Sequence, residues 1–134
     1  PAAKIPEEVY PYIFAITPNE TETELLTGIS IDSLANAQEA AQILLGKGIK
    51  HVIITMGAQG AYYQSAKEKL FIPTHIVQAV DTTAAGDCFN GALAVAISQQ
   101  KAWEPAILFA CEAATLSVTK RGAQASMPYL QDLL

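Results

Sequence analysis

Long hydrophobic runs, cysteines and clustered basic residues are scarce in this chain, and each shortage removes a class of function. No apolar stretch approaches the ~18 residues that a membrane-spanning helix requires, so a membrane role is not expected. The eight lysines and arginines are scattered and the net charge is −5. A protein that tracks nucleic-acid phosphates needs its basic residues together, so nucleic acid is not an expected partner either. Only two cysteines occur, Cys88 and Cys111, in no paired or metal-binding spacing. They read as reduced core thiols of a cytoplasmic protein. The two histidines, His51 and His75, have no ligand-like spacing to another His, Cys or carboxylate and read as structural. The first residues carry no basic-then-apolar leader.

What is present is a globular composition. Of 134 residues, 51% are hydrophobic and 16% charged, enough for one packed domain and too few for two. Residues 12–16, Tyr-Ile-Phe-Ala-Ile, lie between Pro11 and Thr17-Pro18 and predict a buried parallel strand. A helix from Pro18 to about Thr27, stopped at Gly28, should follow. The next helix, about Leu34 to Leu45, puts Leu34, Ala37, Ala41, Leu44 and Leu45 on one face before the Gly46-Lys47-Gly48 cap. His51 to Thr55 predicts a second buried strand. Strand, two helices, strand is the pattern of an α/β sheet with right-handed crossovers. After Gly57, short strands are expected at Ala61–Gln64 and Lys69–Ile72, with a third extended stretch at Thr74–Val80, as an antiparallel edge. Helices from Gly86 to Gln99 and Pro105 to Thr119 come next, then a loop from Lys120 to Met127 and a short helix after Pro128.

Chemistry concentrates in residues 81–91, Asp-Thr-Thr-Ala-Ala-Gly-Asp-Cys-Phe-Asn-Gly. Two carboxylates, Asp81 and Asp87, flank a turn of small residues that opens onto an apolar helix. The helix start offers unpaired N–H groups and the positive dipole end to an anion. Asp87, in that first turn, can take a proton from an incoming hydroxyl. Donors for a transferring group beside a base for its acceptor outline a phosphoryl-transfer site. Alanine at position 84 requires that the turn avoid a positive φ there.

Two further segments suit a nucleotide. Thr17-Pro-Asn-Glu-Thr-Glu22 stands where the first strand meets its helix, the usual ligand edge of an open α/β sheet. Thr17 and Glu20 account for a capping box, leaving Asn19 and Glu22 as neighbours on one helical face. An amide beside a carboxylate suits a hydrated magnesium ion, which takes few protein ligands. Thr55-Met-Gly-Ala-Gln-Gly60 closes the second strand. Its glycines permit close backbone approach, and the Thr55 hydroxyl can reach a phosphate oxygen.

The 81–91 string resembles the signature of the ribokinase-like carbohydrate kinases, the phosphofructokinase-B superfamily, written D-T-x-G/A-A-G-D-x-F. The other segments resemble that family's N-x-x-E and T-x-G-x-x-G motifs. The resemblance implies Asp87 as general base, with Ala84, Ala85, Gly86 and Asp87 forming the anion hole. It implies Asn19 and Glu22 for Mg2+ and its phosphates, and Thr55, Gly57, Gly60 and Cys111 at the ATP site. Cys111 stands where related kinases place a polar residue beside adenine. Ser117-Val-Thr-Lys-Arg-Gly-Ala-Gln-Ala-Ser126 resembles the potassium loop, so Asp81, Thr83, Ser117, Lys120, Gly122 and Ser126 are the implied K+ set.

The implied fold is the three-layer ribokinase-like α/β arrangement, with a mostly parallel sheet and antiparallel edge strands. The implied activity is ATP-dependent phosphorylation of a sugar hydroxymethyl group, ribose first. Fructose, a deoxy-sugar acid or a nucleoside stays open as acceptor, as does an isolated nucleotide-binding or oligomerisation module. By the resemblance this is the C-terminal half of a homodimeric enzyme, its substrate-binding half and lid missing. Pro1-Ala-Ala-Lys, without an initiating Met, reads like mid-chain sequence.

Overall fold

Three consecutive β-branched residues, Val52, Ile53 and Ile54, are all completely buried in the central strand. That continuous pattern belongs to a strand covered on both faces. The computed structural model describes residues 2–134; Pro1 and its mid-chain reading lie outside them. The chain packs as two units, one running to Gly57 and resuming over Ala61–Phe71, the other made of Ala58–Gly60 and Ile72–Leu134.

The first unit holds a four-stranded mixed sheet in the order β1 (Ala15–Ile16), β2 (His51–Thr55), β3 (Ala61–Ser65), β4 (Lys69–Ile72). β1 pairs with β2 in parallel, Ala15 opposite His51. β2 and β3 are antiparallel, with His51 opposite Ser65 and Thr55 opposite Ala61. Helices α1 (Glu20–Thr27) and α2 (Leu34–Gly46) form the crossover between β1 and β2. Ala37, Ala40, Ala41 and Leu44 of α2 join Val52, Ile54, Met56 and Tyr62 in one apolar cluster. Leu34, expected on that face, is 45% exposed as the first residue of α2. Gly28 ends α1 in the left-handed conformation at φ 77°, the usual glycine stop.

The first strand is shorter than residues 12–16. Glu7–Tyr12 instead forms a 3-10 helix that accommodates Pro11, and Ile13 N–H donates to the Tyr10 carbonyl. The turn buries Tyr10, a core residue the hydropathy pattern missed, and leaves Tyr12 and Phe14 exposed. Lys47 fastens it, 2.6 Å from Glu7 and 4.6 Å above the Tyr10 ring.

In the second unit, α3 (Ala85–Ser98) and α4 (Trp103–Ser117) pack face to face. Their buried contributions include Phe89, Leu93 and Ala96 from α3 and Ala106, Ile107 and Ala110 from α4. Cys88 and Cys111 are both free and buried, as expected. Thr74–Val80 is not a strand. Its polar groups go elsewhere: the Thr74 hydroxyl bonds that of Thr115 at 2.9 Å, and Val80 N–H donates to the Val118 carbonyl at 2.8 Å. The Val80 N–H, bonded to the end of α4, is thereby not available to a sheet ladder. Short 3-10 turns at Gln124–Ser126 and Leu130–Leu133 finish the chain. No helix among the described residues is long and apolar enough to cross a membrane.

Candidate functional site

The predicted residues form two groups, one in each unit. In the first, Asn19 and Thr55 meet where β1 and β2 end. They form a parallel bridge, and Thr55 N–H donates to the Pro18 carbonyl at 3.0 Å. Strand pairing therefore continues through Pro18 to Asn19, which displaces the helix start. The cap is Asn19 and not Thr17. Asn19 Oδ1 accepts the Glu22 N–H at 2.8 Å, and Glu22 Oε2 accepts the Asn19 N–H at 2.9 Å.

The two residues expected to be free thus form the capping box themselves, a device that stabilises a helix by about 1 kcal/mol. Capping does not remove them from ligand chemistry. Glu22 Oε1 takes no part in the box, and Asn19 is exposed at the strand ends. One carboxylate oxygen and an amide suit outer contacts to a hydrated Mg2+, which keeps most of its waters. No group of three or more His, Cys, Asp or Glu residues that could hold a metal occurs among the described residues.

The glycines after Thr55 separate into two roles. Gly57, at φ 54°, is exposed and a Cβ there would meet nothing within 4 Å, so its surroundings leave room for a ligand. Gly60, at φ 115°, is buried, and a Cβ would lie 2.0 Å from the Ile72 carbonyl oxygen. Glycine at position 60 is thus required by the chain's own backbone.

In the second unit, Ala84 is the N-cap of α3 and adopts φ 61°, ψ 14°. This corrects the expectation that the turn would avoid positive φ. A left-handed alanine costs about 1–2 kcal/mol, and alanine is among the poorest N-caps; no side chain caps this helix start. Ala85 N–H reaches back to the Thr82 carbonyl at 3.3 Å and Cys88 N–H to the Ala84 carbonyl at 2.9 Å. Helix geometry leaves the Gly86 and Asp87 N–H groups without intrahelical acceptors. Both residues are exposed, and a Cβ on Gly86 would meet nothing within 4 Å. Backbone strain and an unfilled cap at one helix start are the marks of a site shaped for something other than stability.

Asp81 and Thr83 lie at the other side of the turn. The Asp81 carboxylate accepts the Thr83 N–H at 2.9 Å through Oδ1 and the Gly122 N–H at 3.0 Å through Oδ2. The Thr83 hydroxyl, followed by these N–H donors, holds the Asp81 carboxyl down at about 2. Of the predicted potassium set, Asp81, Thr83 and Gly122 are therefore together. Ser117 and Ser126 are buried, with hydroxyls donated to the Ala114 and Ala123 carbonyls at 2.8 and 2.7 Å. Lys120 side chain is exposed, while its N–H donates to the Ser117 carbonyl. The Val118 carbonyl, which accepts from both Val80 and Asp81, was invisible to motif reading because no side chain advertises it. Cys111 is buried in α4, and burial pushes its thiol up to about 11.

A family model described as pfkB family carbohydrate kinase matches residues 2–130. The ribokinase of Haemophilus influenzae is 44% identical over 134 residues, all of this chain and 44% of its own. The chain thus spans under half the length of that relative. The structure of Arabidopsis thaliana ribokinase complexed with ribose and ATP superposes with a TM-score of 0.89 at 35% identity, covering 98% of this chain and 43% of that one. A putative ribokinase II from E. coli in complex with ATP and Mg2+ gives 0.83 at 31% identity, covering 95% and 40%.

Proposed function

The chain belongs to the pfkB family of carbohydrate kinases, and on that premise we propose that the protein carrying it transfers the γ-phosphoryl group of ATP to a sugar hydroxymethyl group. The observation that carries this reading is the start of α3: a left-handed, uncapped Ala84 followed by the exposed pair Gly86 and Asp87. Within the Ala84–Asp87 turn, the Gly86 and Asp87 N–H groups foremost stabilise charge developing on the transferring phosphoryl group, and such groups act strongest when fixed beforehand. Asp87 takes the proton of the acceptor hydroxyl as its oxygen bonds to phosphorus and ADP departs.

Asn19 and Glu22 are the residues that would hold hydrated Mg2+ with the ATP phosphates, and the ion would neutralise phosphate charge when bound. Thr55 and Gly57 line the ATP phosphates in this reading. Gly60 and Cys111 complete the proposed ATP-site set, Gly60 by turning the chain at φ 115° and Cys111 as a buried residue of α4. In segments 81–83 and 117–126, Asp81, Thr83, Ser117, Lys120, Gly122 and Ser126 are the residues that would hold potassium. The Asp81–Gly122 bond supports this, because it already joins the two segments.

Ribose is the acceptor favoured here, supported by a 44% identical ribokinase and by a structural neighbour complexed with ribose and ATP. The test is ADP release by the full-length protein with ribose, deoxyribose, fructose and a nucleoside, each with ATP and Mg2+. Turnover highest on ribose is expected. A higher kcat/KM on another acceptor would reassign the substrate, and no turnover on any would overturn the kinase reading.

A further inference from the structure

We infer that Asp81 is a positioning residue whose carboxylate, by tying Thr83 to Gly122, holds Ala84 in the left-handed conformation on which the α3 anion-binding turn depends. The inference rests on the kinase reading above for its kinetic consequence, but its structural content does not.

Three links fasten this segment to the chain following α4. Val80 and Asp81 N–H groups donate to one carbonyl, that of Val118, at 2.8 and 3.2 Å, and Asp81 Oδ2 accepts from Gly122. Asp81 Oδ1 then fixes the Thr83 N–H, one peptide before Ala84. On the far side, the Ala84 carbonyl accepts from Cys88. Ala84 is therefore held from both directions. A strained residue persists only where its surroundings over-determine it, and the Asp81 carboxylate is the side chain that does so here.

The chemistry calls for aspartate at this position. Two N–H donors need two acceptor oxygens on one short side chain, and a carboxylate has them. Asparagine has one carbonyl oxygen and an NH2 group that cannot accept. Asp81→Asn should keep the Thr83 bond and lose the Gly122 bond with almost no change in shape. Glycine at position 84 carries no Cβ penalty at positive φ, so Ala84→Gly should lessen the need for the clamp.

The experiment uses the full-length protein. Hydrogen exchange at single-amide resolution should show Gly122 protected in the wild type and exposed in Asp81→Asn, with Thr83 still protected. At saturating potassium, Asp81→Asn should lower kcat about tenfold or more, in line with losing an aligned backbone donor, while the KM values for ATP and sugar stay within about twofold. Adding Ala84→Gly to Asp81→Asn should recover most of that loss. Unchanged Gly122 protection in Asp81→Asn would overturn the clamp whatever the protein's activity. Full restoration of Asp81→Asn by raised potassium alone would make Asp81 a cation ligand only and also overturn it. A wild type silent with every sugar but showing the exchange pattern would sink the kinase reading and leave the clamp standing.

Discussion

Asn19 and Glu22 hold each other's backbone: the amide oxygen of one and the carboxylate of the other accept reciprocal N–H bonds of 2.8 and 2.9 Å. The same pair is proposed to face hydrated magnesium and the ATP phosphates. Capping and ligand roles call for different substitutions to separate them. Glu22→Gln keeps an acceptor for the cap but loses the charge, so stability should be nearly unchanged while the Mg2+ requirement for turnover rises. Glu22→Ala loses both and should also cost up to about 1 kcal/mol of stability. Thermal melts and magnesium titrations of both variants check this; an unaltered magnesium requirement in Glu22→Gln would leave the residue as a cap alone.

Gly57 and Gly60 should respond oppositely to alanine. Gly60→Ala drives a Cβ into the Ile72 carbonyl at φ 115°, so backbone must move and stability should fall by about 2 kcal/mol or more. Gly57→Ala meets open space at φ 54°, which costs only about 1–2 kcal/mol of left-handed strain, and its larger effect should be a raised KM for ATP. Denaturation curves and steady-state kinetics on the two variants distinguish a folding glycine from a ligand-facing one.

Both thiols should be slow to alkylate. Burial raises the Cys88 thiol above its ordinary range and pushes Cys111 up to about 11, so neither is appreciably thiolate at pH 8, and thiolate is the reacting form. Iodoacetamide should label the native protein slowly at pH 8 and the denatured protein rapidly, at rates readable by mass spectrometry. Burial of neutral thiols stabilises the fold fully below the unfolded thiol range near 9. That contribution fades as pH rises toward 11, because the unfolded chain loses its protons first. Rapid labelling of Cys111 in the native protein would show that α4 opens there.

The elements legible in the sequence were those in which one physical signal acted alone. His51–Thr55 was readable to the residue because a β-branched run between turn signals has few other uses. The α1 start was misplaced because Thr17/Glu20 and Asn19/Glu22 each satisfy a capping pattern, and the choice was made by strand pairing through Pro18 and Asn19. Residues 12–14 and Thr74–Val80 read as strands on local hydropathy, but Tyr12 belongs to the Glu7–Tyr12 turn, the Ile13 N–H goes to the Tyr10 carbonyl, and the Val80 N–H goes to the Val118 carbonyl. The left-handed Ala84 had no local signal, since nothing in alanine predicts positive φ; only the surrounding motif marked the site. Residues 81–91 therefore mark the candidate site in the sequence while hiding the backbone geometry around it.

The most direct test of the central claim is Asp87→Asn in the full-length protein, followed by kcat and by the affinity for ATP. In the proposed reading, nucleotide contacts come from backbone turns, whereas the acceptor proton goes to the Asp87 carboxylate. A fall in kcat of about 10²–10⁴-fold is expected, with ATP affinity within about threefold of wild type, as for an effect confined to the transition state. A variant retaining more than about half of wild-type turnover would contradict the account and reduce Asp87 to a favourable charge at a helix start.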